Sequence, residues 1–291
     1  KYTVKFNANG GEGEMADQGF TYGDTQKLTE NAFKRENALF VGWATSEENA
    51  KNGVVAYTNG QSVSNLTTTK DGVVTLYAVW ATIEIPSHPE YIRTSDKLTL
   101  NISYTNIPKN WRYVVKIEAG IYNNSGVGLY TSITNGTGSS TYTAAAQIPV
   151  KTNTVVVGLY ANGDNFAQEP RLSASVTVIC QSTYEIGVFA YTEGVNSTTG
   201  GTVNKNSIQP STNVQEEVVA TPKTGYMFDQ WFVINDNANI TIENPHSPTT
   251  NVTATGGGQI YANFKKLPLK TIYLKTVEDT KDGDKWFVVY G

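Results

Sequence analysis

Asn37-Ala38-Leu39-Phe40-Val41-Gly42-Trp43 alternates apolar and aromatic residues up to a tryptophan, and Gly225-Tyr226-Met227-Phe228-Asp229-Gln230-Trp231 does the same. The surroundings repeat in the same order. A glycine pair precedes each stretch, Gly10-Gly11 in one case and Gly200-Gly201 in the other. An aromatic-ended strand follows each, Val74 to Trp80 and Gln259 to Phe264. Three landmarks in one order at near-equal spacing are the signature of an internal repeat. Two modules of one kind therefore flank a region with a different rhythm.

The first copy carries Tyr2-Thr3-Val4-Lys5-Phe6-Asn7-Ala8-Asn9-Gly10-Gly11, then Phe40-Val41-Gly42-Trp43, Tyr57-Thr58-Asn59-Gly60 and Leu76-Tyr77-Ala78-Val79-Trp80. It resembles the Listeria-Bacteroides repeat, or InlB B-repeat, of bacterial surface proteins. The second copy carries Gly200-Gly201-Thr202-Val203, Val218 to Pro222, Gly225 to Phe228, Trp231 and Tyr261-Ala262-Asn263-Phe264. It is similar to the divergent form of that repeat. The resemblance implies β-grasp-like modules, an extracellular or cell-surface location and no catalysis. Trp43, Trp80, Trp231 and Phe264 recur at fixed module positions, as core residues do, so they are expected to pack inside rather than bind.

Residues 81–180 read differently. Thr82 to Ile85, Leu98 to Tyr104, Tyr113 to Ile121, Leu129 to Ile133, Tyr142 to Ile148, Val155 to Ala161 and Leu172 to Cys180 each alternate apolar with polar residues. Seven short alternating strands in a hundred residues predict an immunoglobulin-like sandwich. The expected organisation is all-β: modules at 1–80 and 181–267, the sandwich at 81–180, and a tail or truncated further domain at 268–291. One short helix is expected within 44–53, capped by Ser46 and stopped by Gly53. In the tail, Thr271 to Lys275 and Trp286 to Tyr290 read as two strands. Lys1 stands directly before a strand, so the chain is expected to be an excised or mature piece.

The composition narrows the function. Only 16% of the 291 residues are charged, the net charge is −4, and ten Phe, seventeen Tyr and five Trp favour strands. Nothing here gathers phosphate, which argues against nucleic acid as a partner. No apolar run reaches the roughly 20 residues of a membrane span. Cys180 continues the alternation Leu172, Ala174, Val176, Val178 and reads as a small buried hydrophobe. The two histidines, His88 and His246, sit in proline-flanked loops, away from any pattern that would partner a nucleophile. Nucleophile-elbow, zincin and phosphate-loop motifs are absent, so no catalytic residue is assigned. Asp279, Asp282 and Asp284, and likewise Asn235, Asp236, Asn237 and Asn239, offer oxygen ligands. Neither set follows the EF-hand order or adds a bidentate glutamate. Both read as turns, with no metal and no cofactor expected.

The one candidate site lies in the sandwich. If its alternation sets the inward face, Tyr122, Tyr130 and Tyr160 point outward. Tyr122 and Tyr130 then flank a short hairpin as cross-strand neighbours, with Tyr160 nearer the far edge. Such a pair either stabilises the sheet by about 0.2–1 kcal/mol or forms a binding platform. The sequence thus points to a non-catalytic segment of a cell-surface or secreted protein, acting as spacer and adhesion surface. Its partner would be a protein or glycan at a bacterial or host surface. The alternative is a carbohydrate-binding accessory segment of a larger secreted glycan-processing protein.

Overall fold

Val73–Ser87 explains most of the first half of the molecule, because its nine opening residues, Val73 to Ala81, are almost all apolar. An apolar run of that kind needs cover on both faces. The computed structural model supplies it. It describes residues 1–268, 273–278 and 285–290, except 119, 124, 126, 127, 135 and 235–237. The chain divides into two compact units, 1–182 and 183–291. Among the described residues no helix is long and apolar enough to cross a membrane.

The first unit opens with Tyr2–Asn7 (β1), Gln18–Phe20 (β2), Gln26–Lys27 (β3) and Ala38–Ala44 (β4). Helix Glu47–Lys51 (α1), Ser62–Val63 (β5) and Val73–Ser87 (β6) follow. Ser46 Oγ accepts the Asn49 N–H at 3.1 Å, and Glu47 and Glu48 fill the first turn, so α1 is capped as its sequence predicts. β6 is parallel to β1 and antiparallel to β4. Tyr77 is paired with both Asn7 and Ala44, so β1 and β4 lie on opposite edges of β6.

β6 does not end with the module. Thr82 is paired with Ala38 on one edge and with Thr105 on the other, so a further strand takes over the edge that β1 leaves. The side chains change allegiance as well. Leu76, Ala78 and Trp80 enter the module core with Tyr2, Val4 and Trp43. Val79 packs with Ala44 and Ala50 beneath α1, and Ala81 and Ile83 enter the sandwich core. β4 is used in the same way, with Phe40 packed on the module core and Leu39 and Val41 on the sandwich core. The boundary expected between residues 80 and 81 therefore falls inside an unbroken strand, within one compact unit.

The sandwich continues with Tyr91–Arg93 (β7), Thr99–Thr105 (β8), Arg112–Ile117 (β9) and Gly120–Tyr122 (β10). Thr131–Ser132 (β11), Gly138–Thr143 (β12), Thr152–Tyr160 (β13) and Leu172–Gln181 (β14) complete it. One sheet runs β12-β8-β6, and the other runs β10-β9-β13-β14-β7 with β11 also on β9. After β6 the chain crosses to the second sheet, where β7 pairs in parallel with Ile179–Gln181. A first strand split between two sheets fits the immunoglobulin-like arrangement. Tyr142 ties the layers together, its hydroxyl donating to the Tyr122 carbonyl at 3.1 Å. Burial pushes that phenol's pKa up. Cys180 is buried in this core.

The second unit contains Ile186–Thr192 (β15), Val195–Asn196 (β16), Gly201–Val203 (β17), Ser207–Ile208 (β18) and Glu216–Pro222 (β19). Tyr226–Val233 (β20), Ile240–Ile242 (β21), Thr249–Ala254 (β22) and Gly258–Lys266 (β23) follow. One sheet is ordered β16-β15-β23-β20 with β18 also on β15, and the second β17-β19-β22-β21. Strand β15 alternates strictly, with Ile186, Val188 and Ala190 inward. In the tail, Tyr273–Glu278 (β24) and Lys285–Tyr290 (β25) form an antiparallel hairpin. The acidic candidates Asp279, Asp282 and Asp284 lie outside the described residues, as do Asn235, Asp236 and Asn237. Asn239 serves locally, its Oδ1 accepting from Thr255 Oγ1.

The two modules share one frame. β1-β6-β4 and β15-β23-β20 have the same order and directions, and both antiparallel pairs are bulged at the same place, between Phe40 and Gly42 and between Phe228 and Gln230. Phe40 opposes Trp80 with ring centroids 5.8 Å apart at 72°, and Phe228 opposes Phe264 at 6.2 Å and 73°. Trp43, Trp80, Trp231 and Phe264 are 0%, 4%, 1% and 1% exposed. The glycine pair fits this cluster by being bare. A Cβ at Gly11 would lie 2.7 Å from Trp80 Cζ2, and one at Gly201 would enter the Phe264 ring.

The covers differ. Asn7, Tyr77 and Ala44 form one row across the first sheet, and Tyr77 and Ala44 lie beneath α1. The equivalent row in the second unit is Phe189, Tyr261 and Phe232, three rings stacked at 5.5 and 5.3 Å.

Gly201→Ala should therefore destabilise the second unit by about 1–3 kcal/mol through overpacking, measured by denaturant midpoint. Gly19→Ala, with nothing within 4 Å of its Cβ position, should leave the midpoint of the first unit close to wild type. Limited proteolysis should cut within residues 182–185, which lie in no strand, and release 1–182 whole. Cleavage within 73–87 would contradict the shared strand.

Candidate functional site

The turn after β9 decides which tyrosines face out. Ile117 pairs with Gly120, so the hairpin closes within two positions, and Glu118 takes a positive φ of 49°. A two-residue turn reverses the alternation that the sequence carries through Ile121. Tyr122 comes to lie opposite Val115, shares its inward face and packs half-buried on the sandwich core. Ile121 points out instead, 37% exposed.

Nor do Tyr122 and Tyr130 oppose each other. Both β10 and β11 pair with β9, at residues 115–117 and 112–113, so the two tyrosines follow one another along a single edge. Tyr130 is 38% exposed. Tyr160 is on the outer side, as its phase implies, yet it is covered. Phe166 stands edge-on to it at 5.1 Å, and the Tyr160 hydroxyl donates to the Gln168 carbonyl at 3.2 Å.

The site is thus built by residues 161–171 folding back over the sheet. Arg112 reaches up from β9, its guanidinium 4.9 Å from the Tyr130 ring centroid and 4.8 Å from that of Phe166. Its Nη2 donates to the Ala161 carbonyl at 3.2 Å, while its buried Nε has no hydrogen-bond partner. The ring faces supply the negative potential instead, an interaction of about 0.5–2 kcal/mol. Lys116 Nζ lies 5.4 Å from the Tyr160 ring.

Asp164 fastens the fold-back, accepting the Ala161 N–H at 2.8 Å and Arg171 Nη2 at 2.9 Å. The Arg171 hydrogen bond, helped by that N–H, holds its carboxyl down at about 2. Beside this fold-back lies a cleft of about 700 Å3, lined by Lys116, Ile121, Val156, Phe166, Pro170 and Ser173 among others.

The cleft offers aromatic and aliphatic walls, hydroxyls, the Lys116 ammonium and the Glu169 carboxylate, the kinds of group that line recognition sites. Of the expected pair, only Tyr130 belongs to this outer face. Arg112 and Phe166 were missed. Arg112 begins a strand whose marked residues are apolar, and Phe166 sits in a loop with no periodicity to flag it. The available signal was the spacing of Asp164 and Arg171 around Phe166.

Residues 2–79 match the Listeria-Bacteroides repeat domain family, and residues 191–268 match the divergent InlB B-repeat domain family. Both are non-catalytic kinds of module, typical of bacterial surface proteins. A comparison with curated proteins found no match. Among solved structures, the chain is similar to the calcium binding domain CBD12 of CALX1.1, with 8% identity and a TM-score of 0.20, over 60% of this chain and 76% of that one. A likeness of that size carries neither fold nor ligand across.

The low Asp164 pKa has a testable sign. An unfolded aspartate titrates near 3.9, so the stability Asp164 contributes is complete above that pH and disappears as pH falls toward about 2. Denaturant midpoints between pH 5 and pH 2 should fall less steeply for Asp164→Asn than for wild type. Parallel curves would contradict the assignment.

Proposed function

We propose that this chain, with a Listeria-Bacteroides repeat domain and a divergent InlB B-repeat domain as its two modules, is a non-catalytic spacer and adhesion segment of a bacterial cell-surface or secreted protein. The observation that carries the reading is the continuity of β6. A module joined to the sandwich by a flexible linker would swing freely, whereas one sharing a strand holds its neighbour at a set angle. Such a joint suits a spacer, and it presents the Arg112–Tyr130–Phe166 face in a fixed direction. The partner would be a protein or glycan at a bacterial or host surface. Each repeat is read as β-grasp-like, since its first strand, β1 or β15, lies parallel to its last, β6 or β23, which is antiparallel to β4 or β20. The rival reading, a carbohydrate-binding accessory segment, draws support from the aromatic row of Phe189, Tyr261 and Phe232.

Two measurements test the proposal. Spin labels at the exposed positions Thr25 and Ser139, in a Cys180→Ala background, should give a single narrow distance distribution. A broad one would remove the spacer role. Beads coated with the chain should be retained on bacterial or host cell layers, and Tyr130→Ala with Phe166→Ala should lower retention at least several-fold. Retention no better than that of albumin-coated beads would remove the adhesive role.

A further inference from the structure

The sandwich has an open seam. On one side of it, β4 pairs with β6 only as far as Thr82, leaving Ile83 onward without a strand on that edge. On the other side, β7 pairs with β14 only at Ile179–Gln181. The outer edge of Leu172–Val178 therefore has no strand beside it among the described residues. Between the two edges lies a cleft of about 420 Å3, lined by Ile83, Ile85, Ala174 and Val176 among others. Leu172, Ala174 and Val176 point toward the core yet are only partly buried. The core is unfinished here, and backbone hydrogen-bonding groups run beside the gap.

The residues themselves leave this edge unguarded. Leu172-Ser173-Ala174-Ser175-Val176-Thr177-Val178 contains no charge, no proline and no bulge, the devices that normally prevent strand addition. The β12 edge is uncharged too, but its Tyr142 is fully buried and leaves no gap in the core. The free window on β14 has defined limits, β7 from Ile179 at one end and Arg171, held by Asp164, at the other.

We propose that Leu172–Val178 is a homophilic contact, pairing antiparallel with the same strand of a second copy of this chain. The window is seven residues long and centred on Ser175. A twofold axis there sets Ser175 against Ser175, Ala174 against Val176 and Leu172 against Val178. Such a contact is self-complementary. With no charge in the window, like meets like without repulsion, and the pairing extends the sheet β9-β13-β14 across the axis. The half-buried Ala174 and Val176 of each copy then gain cover from the other. The contact uses the β14 edge, and although Ser173 and Ser175 also line the cleft beside the Arg112–Tyr130–Phe166 face, Tyr130→Ala with Phe166→Ala leaves the window intact, so bead retention through that face can fail while self-pairing holds.

Sedimentation velocity of the whole chain, up to about 1 mM to suit a contact this small, should show a monomer–dimer equilibrium. Ser175→Lys places two ammonium groups opposite each other and should weaken dimerisation at least about tenfold while leaving the thermal midpoint unchanged. In a Cys180→Ala background, Ser175→Cys should oxidise to a disulfide-linked dimer, and Ser139→Cys, exposed on the β12 edge, should not. A strictly monomeric chain at the highest concentration would overturn the proposal. So would a dimer indifferent to Ser175→Lys, or equal cross-linking through Ser139→Cys.

Discussion

The backbone ladder of Val73–Ser87 is the constraint on which the first unit depends. One strand gives its first half to the module and its second half to the sandwich, and its two faces serve different cores. Even-numbered residues from Leu76 to Trp80 fill one, and Ala81 and Ile83 fill the other. That arrangement accounts for the run at Val73 to Ala81, apolar but for Thr75, since a strand covered on one face alone would alternate. It also accounts for β4, where Phe40 packs on one core while Leu39 and Val41 pack on the other. Asn106, at the end of β8, holds the corner by donating to the Trp80 carbonyl at 3.1 Å.

The repeat shows which parts of a module are obligatory. An aromatic pair at 40 and 80, or 228 and 264, a tryptophan three residues after the paired phenylalanine and a bare glycine on the final ring occur in both copies. What covers the outer face is free to vary. In the first module it is α1, resting Ala50 on Ala44 and Val79. In the second unit the matching row is aromatic, and it fills its own space by ring stacking. The bulge is variable too. Gly42, at φ 148° and against Val55 and the Tyr57 carbonyl, has no room for a side chain, whereas Gln230 takes the equivalent place in the second unit.

Much of this was legible in the residues. The repeat, the tryptophans as core, the Ser46 cap, the inward phase of Cys180 and most strands follow from periodicity and capping, which are local properties. The join between module and sandwich was not, because a change of core from one strand face to the other leaves the backbone pattern untouched. Only the excess apolarity of Val73 to Ala81 hinted at it. The candidate site was half legible. Tyr130 was placed outward correctly. Tyr122 was not, because a two-residue turn at Glu118 flips every side chain that follows it. The fold-back of 161–171 depends on Asp164 meeting Arg171 and Phe166 meeting Arg112, contacts that alternation cannot signal.

Native-state hydrogen exchange tests the shared strand most directly, since it measures which amides open together. If module and sandwich are one cooperative unit, Ile102→Ala in the sandwich core should lower the opening free energy of the amides of β1 and of Val73–Val79 by the same amount as those of β8. The account would be contradicted if that substitution loosened β8 and the far end of β6 while protection in β1 and Val73–Val79 stayed at its wild-type level.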